Sequence, residues 1–258
     1  VKRAAAGFWA LLFLGFAVFV VVSFVLAPRL GWWLPEGKSS FAASTDALIH
    51  TILWVMGGFF VLTIGLLVVF VWRQADGSSA PRSAKSSNLR LELLWTVLPA
   101  GVLAWLALTQ IDEWKAMKFS ALAGDAQPLA ELWASQFDWH ARYPGADGRL
   151  GTADDWESDY ELVVPAGRQV RLSLRSRDVI HSFFVPAFRL KQDIVPGRTM
   201  SVWFTAEPGV YELVCAELCG WGHYKMMGRV RVLPEAEYER HVQAAIAAQS
   251  SGAEIDSR

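Results

Sequence analysis

The 258-residue sequence is short of cysteine and of charge. It holds two cysteines, five histidines and five methionines; charged residues make up 19%, and the formal net charge is −1. So even a balance lacks the basic footprint of a nucleic-acid binder. No Cys-x-x-Cys-His run occurs, so the chain carries no attached cytochrome domain of its own. No internal repeat occurs either. What replaces charge is apolar: 53% of the residues are hydrophobic, too many for an ordinary soluble domain.

The few charges are unevenly placed. Residues 1–110 carry 4 acidic and 8 basic side chains, a net of +4. Residues 111–258 carry 21 acidic and 16 basic ones, a net of −5. A basic apolar half and an acidic polar half point to a positively charged partner on the polar side.

Three apolar runs, at about 8–27, 49–72 and 93–108, account for the first half. The first two reach the roughly 20 residues that cross a bilayer core, and the third nearly does. Residues 4–27 follow Lys2 and Arg3 as a signal peptide would, but the apolar stretch is longer than a signal core. Pro28 also follows the only small-residue cleavage site, so a retained span is expected over a removed signal. The third run contains Pro99 and Gly101, which spans tolerate when neighbouring helices satisfy the backbone. Lys2 and Arg3 at the start, and Arg73, Arg82, Lys85 and Arg90 after the second run, mark the cytoplasmic sides. The loop at 28–47 and everything after Gln110 then lie outside, with Trp32, Trp33 and Trp114 near the outer interface.

The second half reads as β. Residues 169–175 alternate apolar and polar, and 161–164, 200–205, 210–214 and 229–233 are further β-rich runs. Turn signals at Pro165–Gly167, Pro196-Gly197 and Pro208-Gly209 separate them, a spacing that suggests a sandwich or Greek-key barrel. A helix is expected from Glu235, fading into a polar end. The stretch at 143–155 is rich in Gly and Asp but lacks the alternating oxygens and terminal glutamate of an EF-hand, and is read as a turn. Residues 78–87 form a Ser-rich loop.

The chemistry lies in Cys215-Ala-Glu217-Leu-Cys219-Gly-Trp-Gly-His223-Tyr-Lys-Met226, which holds both cysteines of the chain. A second histidine, His181, is placed at the end of a different predicted strand. Thiolate, imidazole and thioether form a soft donor set that favours copper, or zinc if the thioether is ignored. A mononuclear blue-copper site needs only one thiolate. Two can bridge two copper ions, with one histidine terminal on each. A Cys215–Cys219 disulfide and a Cys2His2 zinc site are the competing readings of the same residues, and Met226 alone would be core filler.

Cys-x-Glu-x-Cys-Gly-x-x-His-x-x-Met is similar to the binuclear CuA motif of cytochrome c oxidase subunit II. Asp178-Val-Ile-His181-Ser, Val185-Pro186 and the run from Lys191 to Arg198 resemble the family segment that supplies the other histidine. Leu91-Glu92-Leu-Leu-Trp95-Thr96-Val-Leu-Pro99 resembles the start of the second helix of its membrane hairpin. The resemblance runs from about His50 to Pro234. It implies a membrane-anchored all-β protein: N-terminal transmembrane helices, three or two after processing, then a cupredoxin-like Greek-key barrel or sandwich. The expected divisions are 1–47 (first span and outer loop), 48–110 (helical hairpin), 111–234 (copper domain) and 235–258 (helix and tail).

The resemblance also implies roles. Cys215 and Cys219 bridge two copper ions, His181 and His223 are terminal ligands, and Met226 and the Glu217 carbonyl are weak ligands. The Glu217 side chain would share a magnesium ion with subunit I. Glu92 would stand at the mouth of a proton-uptake path, although a helix-start carboxylate favoured by the dipole explains it equally well. Asp178 is a family position beside the copper segment. His50, His140 and His241 are read as solvated or hydrogen-bonded. The implied activity is that of a terminal respiratory oxidase: electrons arrive at the copper centre and pass to haem in subunit I, where oxygen becomes water and protons are pumped. The implied setting is a bacterial plasma membrane, with the copper domain periplasmic and subunit I and other oxidase subunits as partners.

Two departures bear on the electron donor. The family's Gln-Trp-x-Trp is here Gln136-Phe137-Asp138-Trp139, which puts in doubt the common docking of cytochrome c at the first tryptophan. There is also an extra N-terminal span. Both resemble a bacterial branch that receives electrons from alternative complex III in a supercomplex. Asp178, Asp193 and the acids at 154–159 could form a docking face or simply a solvated surface. A nitric oxide reductase subunit would use the same ligands, a copper chaperone would gain little from membrane spans, and quinol oxidases lose the ligands kept here.

Overall fold

The computed structural model describes residues 2–74, 88–119 and 127–251, and it divides into two units, one through Leu34 together with Ala47–Ile111, the other Pro35–Asp46 with the chain from Asp112 onward. The Ser-rich loop with Arg82 and Lys85, the side chains of Lys2 and Arg3, and the polar end after Ser251 lie outside the described residues.

In the first unit run three helices: α1 (Lys2–Leu26), α2 (Ala42–Gln74) and α3 (Leu89–Phe119). Each contains a stretch long and apolar enough to cross a membrane, Ala5–Leu26, Ala42–Arg73 and Leu89–Phe119. Their apolar side chains are exposed almost throughout, as befits helices whose solvent is lipid. Helix α3 runs through Pro99, and Asn88 caps its start, accepting from Leu91 N.

Two of these helices outrun the apolar runs that foretold them. Helix α3 continues past residue 108 to Phe119, because Asp112, Glu113, Lys115 and Ala116 end the hydrophobicity without ending helix propensity. Its last turns belong to the β unit: Trp203 Nε1 donates to Ala116 O at 3.2 Å, and Lys118 Nζ to Gln192 Oε1 at 2.6 Å. Residues 35–46 join the same unit. Lys38 N donates to Ala187 O, Ser40 N to Thr205 O and Glu207 N to Lys38 O. Phe41 is buried edge-on against Trp203 with ring centroids 4.6 Å apart. Arg189 closes the segment with two hydrogen bonds to the Asp46 carboxylate, at 2.6 and 3.0 Å, and one to Pro35 O at 2.7 Å.

The rest of the second unit is a sandwich of two five-stranded sheets. One has the order β3-β2-β1-β5-β8, made of β1 (Ala130–Ser135), β2 (Asp138–Tyr143), β3 (Trp156–Asp159), β5 (Val170–Ser176) and β8 (Met200–Phe204). The other has the order β4-β10-β9-β6-β7, made of β4 (Glu161–Pro165), β6 (His181–Val185), β7 (Leu190–Ile194), β9 (Gly209–Cys215) and β10 (Met227–Leu233). Pairs β1/β5 and β4/β10 are parallel and the others antiparallel, so strands near in sequence are exchanged between the sheets. Alternation sends Leu132, Leu172, Leu174, Phe183, Leu213, Val230 and Val232 into one core. Helix α4 (Glu235–Ser251) packs on it through Tyr238 and Ala245. The stretch at 143–155 is a turn network held by Asp147, Thr152, Asp154 and Asp155.

Candidate metal centre

The site grows out of the end of β9. Cys215 is its last residue, and the chain returns to β10 through a tight loop in which Cys215 N donates to Met226 O at 3.2 Å and Ala216 N to Ser182 O at 3.1 Å. Inside the loop a short 3-10 turn, His223–Lys225, aims His223 back at the thiols. Gln136, from the β1–β2 connection, donates its side-chain N–H to Cys219 O at 2.6 Å. Gly222 is buried, and a Cβ there would lie 2.5 Å from the Phe137 ring, so glycine is required by space.

His181 opens β6 rather than ending a strand, which corrects the expectation. The preceding residues fold into a side-chain-bonded turn that breaks the chain between β5 and β6: Ser176 Oγ donates to Val179 O, and Val179 N to Asp178 Oδ1. The His181 side chain is fully buried, with Nε2 2.8 Å from Asp178 Oδ1. Its other nitrogen, Nδ1, faces Cys215 Sγ at 3.9 Å.

The donor atoms converge. Cys215 Sγ and Cys219 Sγ are 3.9 Å apart, and both thiols are free. Ligand atoms of His181, Cys215 and Cys219 lie within 4.8 Å of one another. His223 Nδ1 stands 3.6 Å from Cys219 Sγ, so both imidazoles face the thiol pair. Met226 Sδ is 3.8 Å from Cys219 Sγ, and the Glu217 carbonyl is 3.2 Å from Cys215 Sγ.

Electrostatics distinguishes the two sulphurs. Burial works to raise the Cys215 thiol, but its bond to His181 and nearby backbone groups outweigh this and bring it below the ordinary value. Burial raises Cys219, and the charge of Cys215 raises it further. Two thiolates this close both ionise only when a cation is supplied. Burial likewise works to lower His181, yet the bonds to Cys215 and Asp178 lift it above the ordinary value.

Other singled-out residues fall elsewhere. Glu92 lies in the first turn of α3, in the other unit. Phe137 is half-buried against the metal loop. Trp139 is buried in the core, with no hydrogen-bond partner at Nε1 among the described residues. His140 Nδ1 is 2.6 Å from Asp159, His241 packs edge-on against Trp156, and the His50 ring lies 6.1 Å from Trp33. Sequence reasoning missed Gln136 as the residue bracing the Cys215–Met226 loop, and it missed Trp221, which is 81% exposed between Cys219 and His223. The only advance signal for Trp221 was its glycine on either side.

Fold and site together define a membrane-anchored protein with a β-sandwich domain that gathers a soft-donor cluster of two thiols, two imidazoles and a thioether. The comparisons agree with this class. Models of the cytochrome c oxidase subunit II family match twice, the transmembrane domain over residues 27–112 and the periplasmic domain over residues 136–232. The chain is 31% identical to the alternative cytochrome c oxidase subunit 2 of Bradyrhizobium diazoefficiens, over 90% of this chain and 89% of that protein. It is 28% identical to cytochrome c oxidase subunit 2 of Thermostichus vulcanus, over 86% and 81%. Among solved structures, the periplasmic domain of subunit II of cytochrome oxidase from Bradyrhizobium japonicum is similar at 30% identity, with a TM-score of 0.41, covering 47% of this chain and 95% of that one. The chain belongs to the cytochrome c oxidase subunit II family. It is a subunit of an oxidoreductase complex, membrane-anchored, with its β domain on the periplasmic side.

Proposed function

We propose that this chain is the electron-accepting subunit of a terminal oxidase, with two copper ions held by Cys215, Cys219, His181, His223, Met226 and the Glu217 carbonyl. The observation that carries this reading is the convergence of two imidazoles on one thiol pair, His181 Nδ1 3.9 Å from Cys215 Sγ and His223 Nδ1 3.6 Å from Cys219 Sγ. A donor set of this softness suits copper, and six donor groups, the thiol pair included, are more than a tetrahedral zinc site uses. When bound, the copper pair supplies a one-electron centre whose unpaired electron is shared by both metals, so little rearrangement accompanies its reduction.

The chain's own residues prepare for that. Asp178 fixes the His181 ring, Gln136 holds the Cys219 carbonyl, and burial of Cys219 and Met226 keeps water from the sulphurs. Electrons come from cytochrome c or from alternative complex III, and leave for haem in subunit I, where oxygen reduction drives proton pumping. Glu217, half-buried on the metal loop, offers its carboxylate to a magnesium ion shared with subunit I. Glu92, at the start of α3, serves proton uptake.

The test is an EPR spectrum of the copper-loaded full chain in detergent, with copper quantified. Seven hyperfine lines with two coppers per chain support the reading, since two equivalent copper nuclei give that count. Four lines with one copper, or no copper and an oxidised cysteine pair, overturn it.

A further inference from the structure

A metal-facing imidazole stays where the groups behind it hold it, and the two imidazoles of this site are held very differently. His181 turns Nδ1 to the thiols, and its far nitrogen, Nε2, lies 2.8 Å from Asp178 Oδ1. Asp178 is anchored in turn, its carboxylate accepting from Gln136 N and Val179 N, both at 2.7 Å. His223 also turns Nδ1 to the thiols, but among the described residues no group bonds its Nε2. Burial separates the two as well. His181, Cys215, Cys219 and Met226 are 0%, 8%, 3% and 1% exposed, whereas His223 is half-buried. The loop is clamped as far as Gly222, by the Gln136 amide against Gly220 and the Phe137 ring against Gly222. Beyond that clamp His223–Lys225 is a single 3-10 turn with Tyr224 and Lys225 exposed. Only short-range bonds close it, Lys225 N to Gly222 O and Met226 N to His223 O.

We infer that His223 is the gate of the site: its ring swings aside to admit copper and closes last, while His181 stays in place. The inference rests on the two-copper reading above and adds the route by which the site is filled and emptied. The two sulphurs, the thioether and His181 are walled off from solvent, so an approach through them would displace packed core. Rotation of the His223 side chain gives up only its contact with the thiols and returns a polar ring to water, without a desolvation cost. Moving His181 would break its bond to a carboxylate and leave a cavity where the ring is fully buried. The exchange is redox-neutral: a copper–nitrogen bond opens at His223 and closes again, and no electron is transferred. The chemical class that can stand in for the ring follows, a small neutral nitrogen donor that reaches its place from solvent.

The experiment uses the full chain in detergent, with free imidazole as the probe. His223→Gly and His181→Gly are each loaded with copper, with and without imidazole, and their EPR spectra are recorded. Near-UV circular dichroism checks that each variant is folded. Imidazole should restore the seven-line pattern to His223→Gly and leave His181→Gly without it, because only the first position opens to solvent. Copper uptake by the copper-free chain, followed by stopped-flow absorption, should be at least as fast in His223→Gly with imidazole as in wild type. Restoration in both variants, or in His181→Gly alone, overturns the inference. So does a folded His223→Gly that imidazole leaves unrestored or that takes up copper more slowly than wild type. A second measurement needs no variant: deuterium exchange at the histidine C2 position in the copper-free wild type, read by mass spectrometry. His223 should exchange faster than His181 by about tenfold or more, since the buried ring is protected. Equal rates, or a faster His181, overturn the inference, and this comparison decides it alone if His223→Gly does not fold. Absence of the seven-line signal from the copper-loaded wild type fails the copper reading itself, whatever the exchange rates show.

Discussion

Asp178 holds His181 from the side away from the thiols. Its Oδ1 lies 2.8 Å from Nε2, while Oδ2 accepts from Gln136 N at 2.7 Å, so one carboxylate ties the ligand to the connection that also braces Cys219. Substituting Asp178→Asn keeps the shape but weakens the hold on the ring. Copper affinity, measured by competition with a chelator, should fall about 10–100-fold.

Metal removal should be felt as lost stability, because the folded chain gathers the sulphurs and the unfolded chain does not. Near-UV circular dichroism melting of the detergent-solubilised chain should show a midpoint lower by about 10 °C after copper is stripped. The Cys215→Ser/Cys219→Ser double variant should melt at the stripped temperature with or without copper. A copper-dependent midpoint in that variant would place the metal elsewhere.

Gly222 and Phe137 form a single space-filling unit, since a Cβ at 222 meets the ring at 2.5–2.7 Å. Gly222→Ala should cost about 2 kcal/mol and disturb the EPR hyperfine pattern through the adjoining His223. Adding Phe137→Ala should restore much of the pattern. Additive damage in the double variant, read from urea midpoints, would show that the two residues are not coupled.

Asp46 and Arg189 tie residues 35–46 to the sandwich, with the guanidinium side chain only 6% exposed. Replacing Asp46 by Asn leaves that buried cation without its anion. A loss of about 2 kcal/mol in the urea unfolding of the β unit is expected, moderated because Asp46 itself is partly solvated. An unchanged midpoint would mean that the remaining bonds to Pro35 O and Pro186 O suffice.

His241 gives a pH dependence remote from the metal. Burial, and then the nearby Arg231, hold its imidazole below the ordinary 6.5. The folded chain therefore binds this proton less readily than the unfolded chain. The contribution is fully present above pH 6.5 and is lost as pH falls through the lowered folded value. His241→Phe should melt with a flatter dependence on pH across that window; parallel curves for variant and wild type would refute the assignment.

The ligand loop could be read in advance because Cys215, Cys219, His223 and Met226 are neighbours in the chain, and local spacing alone brings soft donors together. His181 was singled out as the second histidine of the donor set, but its strand position was misjudged. The turn that ends β5 is made by Ser176 and Asp178 side chains, which no alternation of apolar residues reports. Residues 35–46 gave no sign that they pack with the sandwich. Their partners, Ala187, Phe188, Thr205 and Glu207, lie some 150 residues away along the chain.

Taken alone, the sequence determined what depends on neighbours: three stretches apolar enough for lipid, an alternating β half, and a compact soft-donor loop. These follow from transfer free energy and strand periodicity, which act along the chain. The tertiary structure decided what depends on strand register. It placed His181 and Asp178 beside the thiols, set Gln136 and Phe137 under the loop, buried Trp139 and left Trp221 outside. A shift of one residue in β2 or β6 would turn Trp139 or His181 to the other face, and only the packed sandwich selects one register.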